Sequence, residues 1–328
     1  PKVRWITWEV TSACNSRCLL CDIWKTKPLQ GLLSLEEIKK TFSDPLFKDL
    51  SVVLLTGGEP VLRDDLLEII LFIHHKIPKA RFTLSTNGIL PDKVLKVVSE
   101  SLQNGVKIDV GVSLDGIGEQ HDQIRGTQGN FKKVDHLLHE LIKLRDKFGE
   151  NTSIVIGLTL HPLTIGHVEG VRNYADKLGV HFLAQLYDEG PYYHNVGKFK
   201  AGEKMDQDRT AMVNVVKKLC PTFHNQVLLK ILKDKIIKFD CFTMRHFFML
   251  RSNGDVMPCL RLSDMRIGNV KVETPTKIWE SEEAGKARKM VKECKGCANT
   301  WATEWSIQCN FLPFAGLIGK YLMKNLIK

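Results

Sequence analysis

Between residue 6 and about residue 185, short apolar, β-branched runs alternate with longer stretches whose apolar residues recur every three or four positions. The runs at 6–10, 52–56, 81–85, 108–113, 153–160 and 180–185 predict six strands. The stretches at 35–42, 64–75, 91–102, 131–148 and 167–178 have helical spacing. Regular alternation of this kind predicts an α/β fold, with a parallel sheet and helices outside it. Six units fall short of a closed eight-stranded barrel, so the expected architecture is a partial (β/α)6 TIM-like barrel, open on one side for a large substrate. In such folds the chemistry gathers at the carboxyl ends of the strands.

After the sixth strand the pattern changes. A loop rich in Gly and Tyr, 187–202, leads to a helical stretch at 207–218 and then to Pro221. Residues 247–250 and 256–260 flank Ser252-Asn253-Gly254-Asp255, which predicts a β-hairpin because Asn-Gly supplies the positive φ angles of a tight turn. Residues 276–290 predict a single helix. The expected division is a barrel over 1–220, a linker over 221–240, a small α+β domain over 241–300 and a C-terminal amphipathic helix over 301–328. That tail carries Phe314, Leu317, Ile318, Tyr321, Leu322 and Met323 beside Lys320, Lys324 and Lys328. It is expected to pack on the protein, or to lie on an anionic membrane surface.

At 328 residues with 43% hydrophobic and 26% charged residues, the chain can bury one substantial core. No apolar run of about 18 residues and no secretory pattern is present, so the expected location is the cytoplasm, with contact at the inner membrane surface as the tail's second option. The formal charge of +10 favours an anionic partner, but no nucleic-acid-binding signature accompanies it and nucleic acid is not expected. Seven of the nine cysteines fall into two groups, which suits metal ligation better than a disulfide framework.

The first group, Cys14-x3-Cys18-x2-Cys21, directly follows the first strand. Three thiolates on one loop can hold three irons of a 4Fe-4S cube and leave the fourth open to chemistry. A zinc knuckle is the competing reading, although structural zinc wants four ligands. The second group, Cys241, Cys259, Cys294 and Cys297, supplies four thiolates around the hairpin and the helix; spacing alone leaves a closed 4Fe-4S cluster and a four-cysteine zinc site both open. Cys220 and Cys309 are left over and read as buried thiols, with Cys309 a substitute candidate for one of the four.

The spacing Cys14-x3-Cys18-x2-Cys21 resembles the radical S-adenosylmethionine (radical SAM) superfamily, and further motifs follow in the family's order. Gly57-Gly58-Glu59-Pro60 ends the second strand like the family's GGE motif, Ser85-Thr86-Asn87-Gly88 ends the third, and Ser113-Leu114-Asp115-Gly116 ends the fourth. His121-Asp122-x-x-Arg125-Gly126 is also similar to a family segment. The resemblance implies that Gly57, Gly58, Glu59, Pro60, Ser85, Asn87, Ser113, Asp115 and Arg125 surround S-adenosylmethionine, with Arg125 and Ser113 toward the methionine carboxylate. Leu20 departs from the pattern, since the family usually has an aromatic residue there. The second cysteine group resembles the Twitch domain, a shortened SPASM domain. Thr303 stands where the longer SPASM pattern has a further cysteine, so one auxiliary cluster is expected.

The implied cofactors are therefore two 4Fe-4S clusters and S-adenosylmethionine, which is split to a 5′-deoxyadenosyl radical that abstracts hydrogen from carbon. A closed auxiliary cluster implies an electron relay and a two-electron oxidation of the alcohol-dehydrogenation type, with a flavodoxin or ferredoxin as electron donor. Base candidates are His161, Tyr187, Asp188, Glu189, Tyr192 and Arg261. Leu260 stands where sulfatase-maturing relatives have an Asp, which speaks against that activity. The alternatives are a redox-neutral epimerase using a cysteine hydrogen donor, radical modification of a peptide, lipid or lipid-linked sugar, and a non-enzymatic iron-sulfur scaffold.

Overall fold

The computed structural model describes residues 3–199, 203–219, 222–234 and 239–294, together with residues 297, 299, 303 and 306. All six predicted strands are present: β1 (Trp5–Thr11), β2 (Val52–Gly57), β3 (Arg81–Thr86), β4 (Lys107–Ser113), β5 (Ile154–Leu160) and β6 (His181–Leu186). Each pairs in parallel with its sequence neighbour. The crossovers are helices α1 (Leu35–Phe42), α2 (Leu66–Lys76), α3 (Pro91–Gln103), α4 (Glu119–Arg125), α5 (Asn130–Phe148) and α6 (Val168–Leu178). The fold is thus the expected partial barrel, with α4 as a short extra helix formed by the His121–Gly126 motif.

Burial explains the alternation read from the sequence. In β3, β4 and β5 every second residue is fully buried, among them Phe82, Leu84, Val110, Val112, Ile156 and Leu158, and these join one core with helix residues such as Ile69, Val98 and Leu138. Apart from Val155, the alternate positions are polar or glycine, and at the carboxyl ends Ser85, Ser113 and Thr159 line a cavity. All seven residues of β1 are buried, because it is flanked on both sides.

Its second neighbour comes from the C-terminal region. Strand β7 (Phe247–Leu250) pairs in parallel with β1, Trp5 opposite Phe247, and β8 (Asp255–Met257) and β9 (Gly268–Asn269) continue the sheet antiparallel. The predicted hairpin therefore extends the barrel's own sheet. Rings of Trp8, Phe42, Phe47, Phe248 and Trp279 run in a continuous chain with successive centroids 5.2, 5.1, 6.1 and 5.8 Å apart, joining the barrel core to this region. Buried Glu9 accepts from Ser252 Oγ at 2.9 Å and pairs with Arg251 at 3.3 Å, tying the hairpin turn to β1.

Three expectations are corrected. The stretch 221–240, read as a linker, contains α8 (Phe223–Asp234), which follows α7 (Glu203–Lys218) and packs on β6, where His224 Nε2 lies 2.7 Å from Ala184 O. The single helix at 276–290 is two, α9 (Pro275–Glu280) and α10 (Glu282–Lys292), because the extended Ser281 between them accepts from Ala284 N and caps the second. In the hairpin turn only Gly254 has positive φ, at +92°, and its N–H donates to Arg251 O at 3.0 Å. The tail at 311–328, Cys220 and Cys309 lie outside the described residues. Among the described residues no helix is long and apolar enough to cross a membrane.

Candidate functional site

A cavity of about 260 Å³ lies at the carboxyl ends of the barrel strands, lined by Thr56, Ser85, Ser113, Thr159 and Gln185 from five of them. Cys14, Cys18 and Cys21 line it from the loop after β1. That loop has no regular structure, and its neighbours hold it from two sides. Gly58 N–H donates to Thr11 O and Glu59 N–H to Ala13 O, both at 2.8 Å. From α4, Arg125 O accepts from Arg17 N at 3.1 Å and Ser16 Oγ at 3.0 Å, and Ile124 O accepts from Leu19 N at 2.8 Å.

These contacts assign the glycines. A Cβ on Gly57 or Gly58 would lie 2.0 Å from the carbonyl oxygen of Thr11 or Ala13, and one on Gly126, where φ is +60°, would lie 2.3 Å from Arg17 O. Gly57 and Gly58 both line the cavity, and their missing side chains are what admits the cysteine loop beside it. Pro60 is buried at the start of a short 3-10 turn and does not line the cavity.

Glu59 is 1% exposed and faces the cavity. Its two carboxylate oxygens accept from Thr86 Oγ1 at 2.8 Å and Asn87 N at 2.7 Å, and burial pushes its pKa up to about 7. Asn87 Nδ2 donates to Asn15 Oδ1 at 2.8 Å, which pins the cysteine loop to β3. Arg125 pairs with buried Asp115 at 2.7 Å and reaches Cys18 Sγ at 3.7 Å. Asp115 also accepts from Thr159 N at 2.8 Å, and its own N–H donates to His121 Nδ1 at 3.1 Å. Burial, with Arg125 nearby, lowers His121 to about 3, so its ring is a neutral acceptor. Asp122 accepts from Gly129 N and Phe131 N at 2.6 and 2.8 Å, fixing the entry to α5. The His-Asp pair of the motif is therefore structural, while its Arg faces the cavity.

The donor set suits an iron-sulfur cluster. Burial pushes Cys21 up to about 12 and raises Cys14, and nearby Cys18 adds to both shifts, so thiolates here need a cationic partner that ligated iron supplies. Among the described residues no three Cys, His, Asp or Glu side chains converge closely enough to hold a single metal ion; the three thiols instead rim the shared cavity.

The second cysteine group sits where the hairpin meets the barrel loops. Cys241 precedes β7, Cys259 follows β8, and Cys294 and Cys297 follow α10. Burial pushes Cys259 up to about 11, with Cys241 and Cys294 adding to it, and pushes Cys297 up to about 12, with Asp188 and Cys259 adding. All four thiols thus share one neighbourhood.

Of the base candidates, Tyr187 and Asp188 line the cavity, just past β6. The Asp188 carboxylate is paired with Arg261 Nη1 and accepts from Asn299 Nδ2 at 3.3 Å; burial raises its pKa. Tyr187 Oη is buried and has no hydrogen-bond partner among the described residues, and burial raises its pKa as well. His161, Glu189, Tyr192 and Arg261 do not line the cavity. His161 Nδ1 accepts from Leu163 N at 3.1 Å, its ring packs on Tyr187 and Phe199, and burial lowers it to about 4.

Sequence reasoning missed several lining residues. Thr159 and Gln185 follow from the rule about strand ends, whereas Trp24, Tyr193 and Asn299 belong to no pattern. Leu20 lines the cavity as an apolar contact, and Trp24, three residues after Cys21, supplies an aromatic one.

The family profile described as the radical SAM superfamily matches residues 8–199, and that of the SPASM iron-sulfur cluster-binding domain matches residues 241–298. An Fe-coproporphyrin III synthase of Methanosarcina barkeri is 36% identical over 135 residues, which is 41% of this chain and 33% of that protein. An AdoMet-dependent heme synthase of the same organism is 26% identical over 322 residues, covering 89% of this chain and 86% of the relative. The fold matches native anSMEcpe with bound AdoMet and the Cp18Cys peptide at a TM-score of 0.67, with 22% identity and both chains covered fully. It also matches Streptococcus suis SuiB bound to the precursor peptide SuiA at 0.65, with 14% identity over 90% of this chain and 72% of that one. The chain belongs to the radical SAM superfamily, an enzyme family that binds S-adenosylmethionine and iron-sulfur, and carries a SPASM/Twitch-type iron-sulfur domain on the flank of its barrel.

Proposed function

We propose that Cys14, Cys18 and Cys21 hold one 4Fe-4S cluster, that Cys241, Cys259, Cys294 and Cys297 hold a second, and that the enzyme oxidises its substrate by two electrons at a C–H bond next to a hydroxyl or similar group. When bound, the first cluster and S-adenosylmethionine supply hydrogen abstraction from carbon, and the second cluster supplies an acceptor for the remaining electron. The observation that carries this reading is the position of Asn299. It lines the cavity while its backbone N–H donates to Cys297 Sγ at 3.2 Å, so the substrate space and the second thiol group meet at one residue.

The chain's own residues have separable tasks. Glu59, fixed by Thr86 and Asn87, presents its remaining lone pairs and the backbone carbonyls beside it to the ammonium group of methionine. Ser85 and Ser113 offer hydroxyls from the cavity wall, and Arg125 offers positive charge to a carboxylate. Trp24 and Leu20 give apolar surface to the adenine. Tyr187 stays protonated and offers its unpartnered hydroxyl to the substrate. Asp188 takes the substrate proton at its carboxylate, and Arg261 holds it in place. The apolar wall of Ile23, Tyr192, Met249 and Met257, which packs on Cys14 and Cys21, keeps water from the reactive centre.

The test is anaerobic incubation of reduced, iron-loaded protein with S-adenosylmethionine and hydroxyl- or thiol-bearing peptides and small alcohols. Two-electron oxidation gives one 5′-deoxyadenosine for each product molecule lacking two hydrogens; a product of unchanged mass contradicts it. A second reading, oxidation of an iron porphyrin, is favoured by the heme-synthase relative that covers most of the chain. Iron coproporphyrin III belongs in the same panel.

A further inference from the structure

The loop after β6, 187–199, brings Tyr187, Asp188 and Tyr193 to the cavity, and one buried side chain fastens it to the first cysteine loop. Asn195 is 1% exposed. Its amide nitrogen donates to Leu20 O, between Cys18 and Cys21, at 3.3 Å and to Asp188 O at 3.2 Å, and its Oδ1 accepts from Gly190 N at 3.0 Å. Both ends of the amide are therefore engaged, each with backbone. His194, just before it, has a φ of +53°, in the left-handed region that side chains seldom adopt. A second fastener lies at Asp22, the residue after Cys21. Its N–H donates to Tyr193 O at 3.0 Å, and its carboxylate accepts from Lys198 Nζ at 2.5 Å. The end of the loop packs back on its start, with the Phe199 ring centroid 5.6 Å from that of Tyr187.

We propose that Asn195 is a positioning residue, which sets the place of Asp188 against the first cysteine loop and so aligns the proton acceptor with the site of hydrogen abstraction. The inference rests on the reading that Asp188 takes the substrate proton and that Cys14, Cys18 and Cys21 hold the first cluster. In that reading the hydrogen atom leaves carbon for the 5′-deoxyadenosyl group, the hydroxyl proton goes to the Asp188 carboxylate and the remaining electron goes to the second cluster. Two separate segments must therefore meet one bound molecule, the cysteine loop on one side and 187–199 on the other. Arg261 and Asn299 hold the side chain of Asp188 from the second thiol group, whereas Asn195 holds the backbone of the same residue from the first. Asp188 is thus fixed from both directions. Without the amide, the carbonyls of Leu20 and Asp188 lose the one group that joins them, and a misplacement of about 1 Å at a reacting group costs about 10²-fold in rate.

The experiment compares wild type with Asn195→Ala, Asp188→Asn, the two combined, Lys198→Met and Lys198→Arg, each loaded with iron. Product per 5′-deoxyadenosine is read with the peptides, alcohols and iron coproporphyrin III of the panel above. Backbone hydrogen exchange over 187–199 is read by mass spectrometry with S-adenosylmethionine alone. In Asn195→Ala the expected result is faster exchange over 187–199, an unchanged rate of S-adenosylmethionine cleavage, and a fall of about tenfold or more in product per 5′-deoxyadenosine. The combined variant should be no worse than Asp188→Asn, since a residue that acts through another adds nothing once that one is gone. Lys198→Met, which leaves Asn195 in place, should move exchange and ratio in the same direction by less, and Lys198→Arg should restore both. Wild-type exchange over 187–199 in both Asn195→Ala and Lys198→Met overturns the inference, whether or not a member of the panel is oxidised. So does additive loss in the combined variant, or a fall in Asn195→Ala that iron content and cleavage share, which is a structural role only. A wild-type ratio in Asp188→Asn overturns the proton-acceptor reading and this inference with it; a low ratio there beside a wild-type ratio in Asn195→Ala overturns this inference alone.

Discussion

Asn299 donates from Nδ2 to the Asp188 carboxylate at 3.3 Å, while its backbone N–H donates to Cys297 Sγ at 3.2 Å. A residue of the auxiliary region thereby contacts a cavity residue contributed by the last barrel strand's loop. Arg261, two residues after Cys259, pairs with the same carboxylate. Asp188 is thus fixed by two groups that each adjoin a cysteine of the second set.

Asp188→Asn keeps the shape of that site and removes its charge. S-adenosylmethionine cleavage should continue, while product formation falls by about 10²- to 10⁴-fold, the usual worth of a proton-transfer group. The ratio of product to 5′-deoxyadenosine, measured in one reaction mixture, separates this from a general loss of activity. At the preceding residue, Tyr187→Phe should weaken substrate binding without uncoupling the ratio.

Gly58→Ala should displace the first cysteine loop, because the new methyl would sit 2.0 Å from Ala13 O, a backbone atom that cannot rotate away. Iron counting after reconstitution should fall from about eight to about four per chain. Gly170→Ala, whose Cβ would meet only Ile117 at 3.7 Å on helix α6, should keep full iron.

Cys259→Ala combined with Cys297→Ala should also leave about four irons, but the other four. In that variant 5′-deoxyadenosine should still form and the oxidised product should disappear.

Glu59 gives the apoprotein a pH dependence of unusual sign. Its pKa is raised by burial from 4.5 to about 7, so the folded chain holds this proton more tightly than the unfolded one. The stability contributed is complete below about pH 4.5 and is lost as pH rises through 7, by about 3 kcal/mol. Thermal unfolding of metal-free protein in reducing buffer should show that loss, and Glu59→Gln should flatten it.

The barrel was legible because periodicity and burial coincide: Phe82 and Leu84 alternate with Arg81 and Thr83 in the sequence and in the fold. The cysteine groups and the Gly-Gly-Glu motif were legible because few residue types satisfy thiolate ligation or tolerate the approach at Gly58. What escaped depends on long-range packing. Nothing local says that Phe247 will pair with Trp5, making the hairpin an extension of the barrel sheet. The break at Ser281 is signalled only by a serine followed by Glu282 and Glu283, a helix-start pattern inside a helical run. Trp24, Tyr193 and Asn299 reach the cavity by loop paths that no periodicity encodes.

In the proposed enzyme Cys14, Cys18 and Cys21 leave one iron open to S-adenosylmethionine. Electron-nuclear double resonance on the reduced protein, with the methionine amino nitrogen isotopically labelled, reads that bond directly. A hyperfine coupling to the label, present in wild type and in the Cys259/Cys297 double variant and absent in Cys18→Ala, is the predicted result. No coupling in a wild-type sample with full iron would mean that S-adenosylmethionine does not bind an open iron between these thiolates.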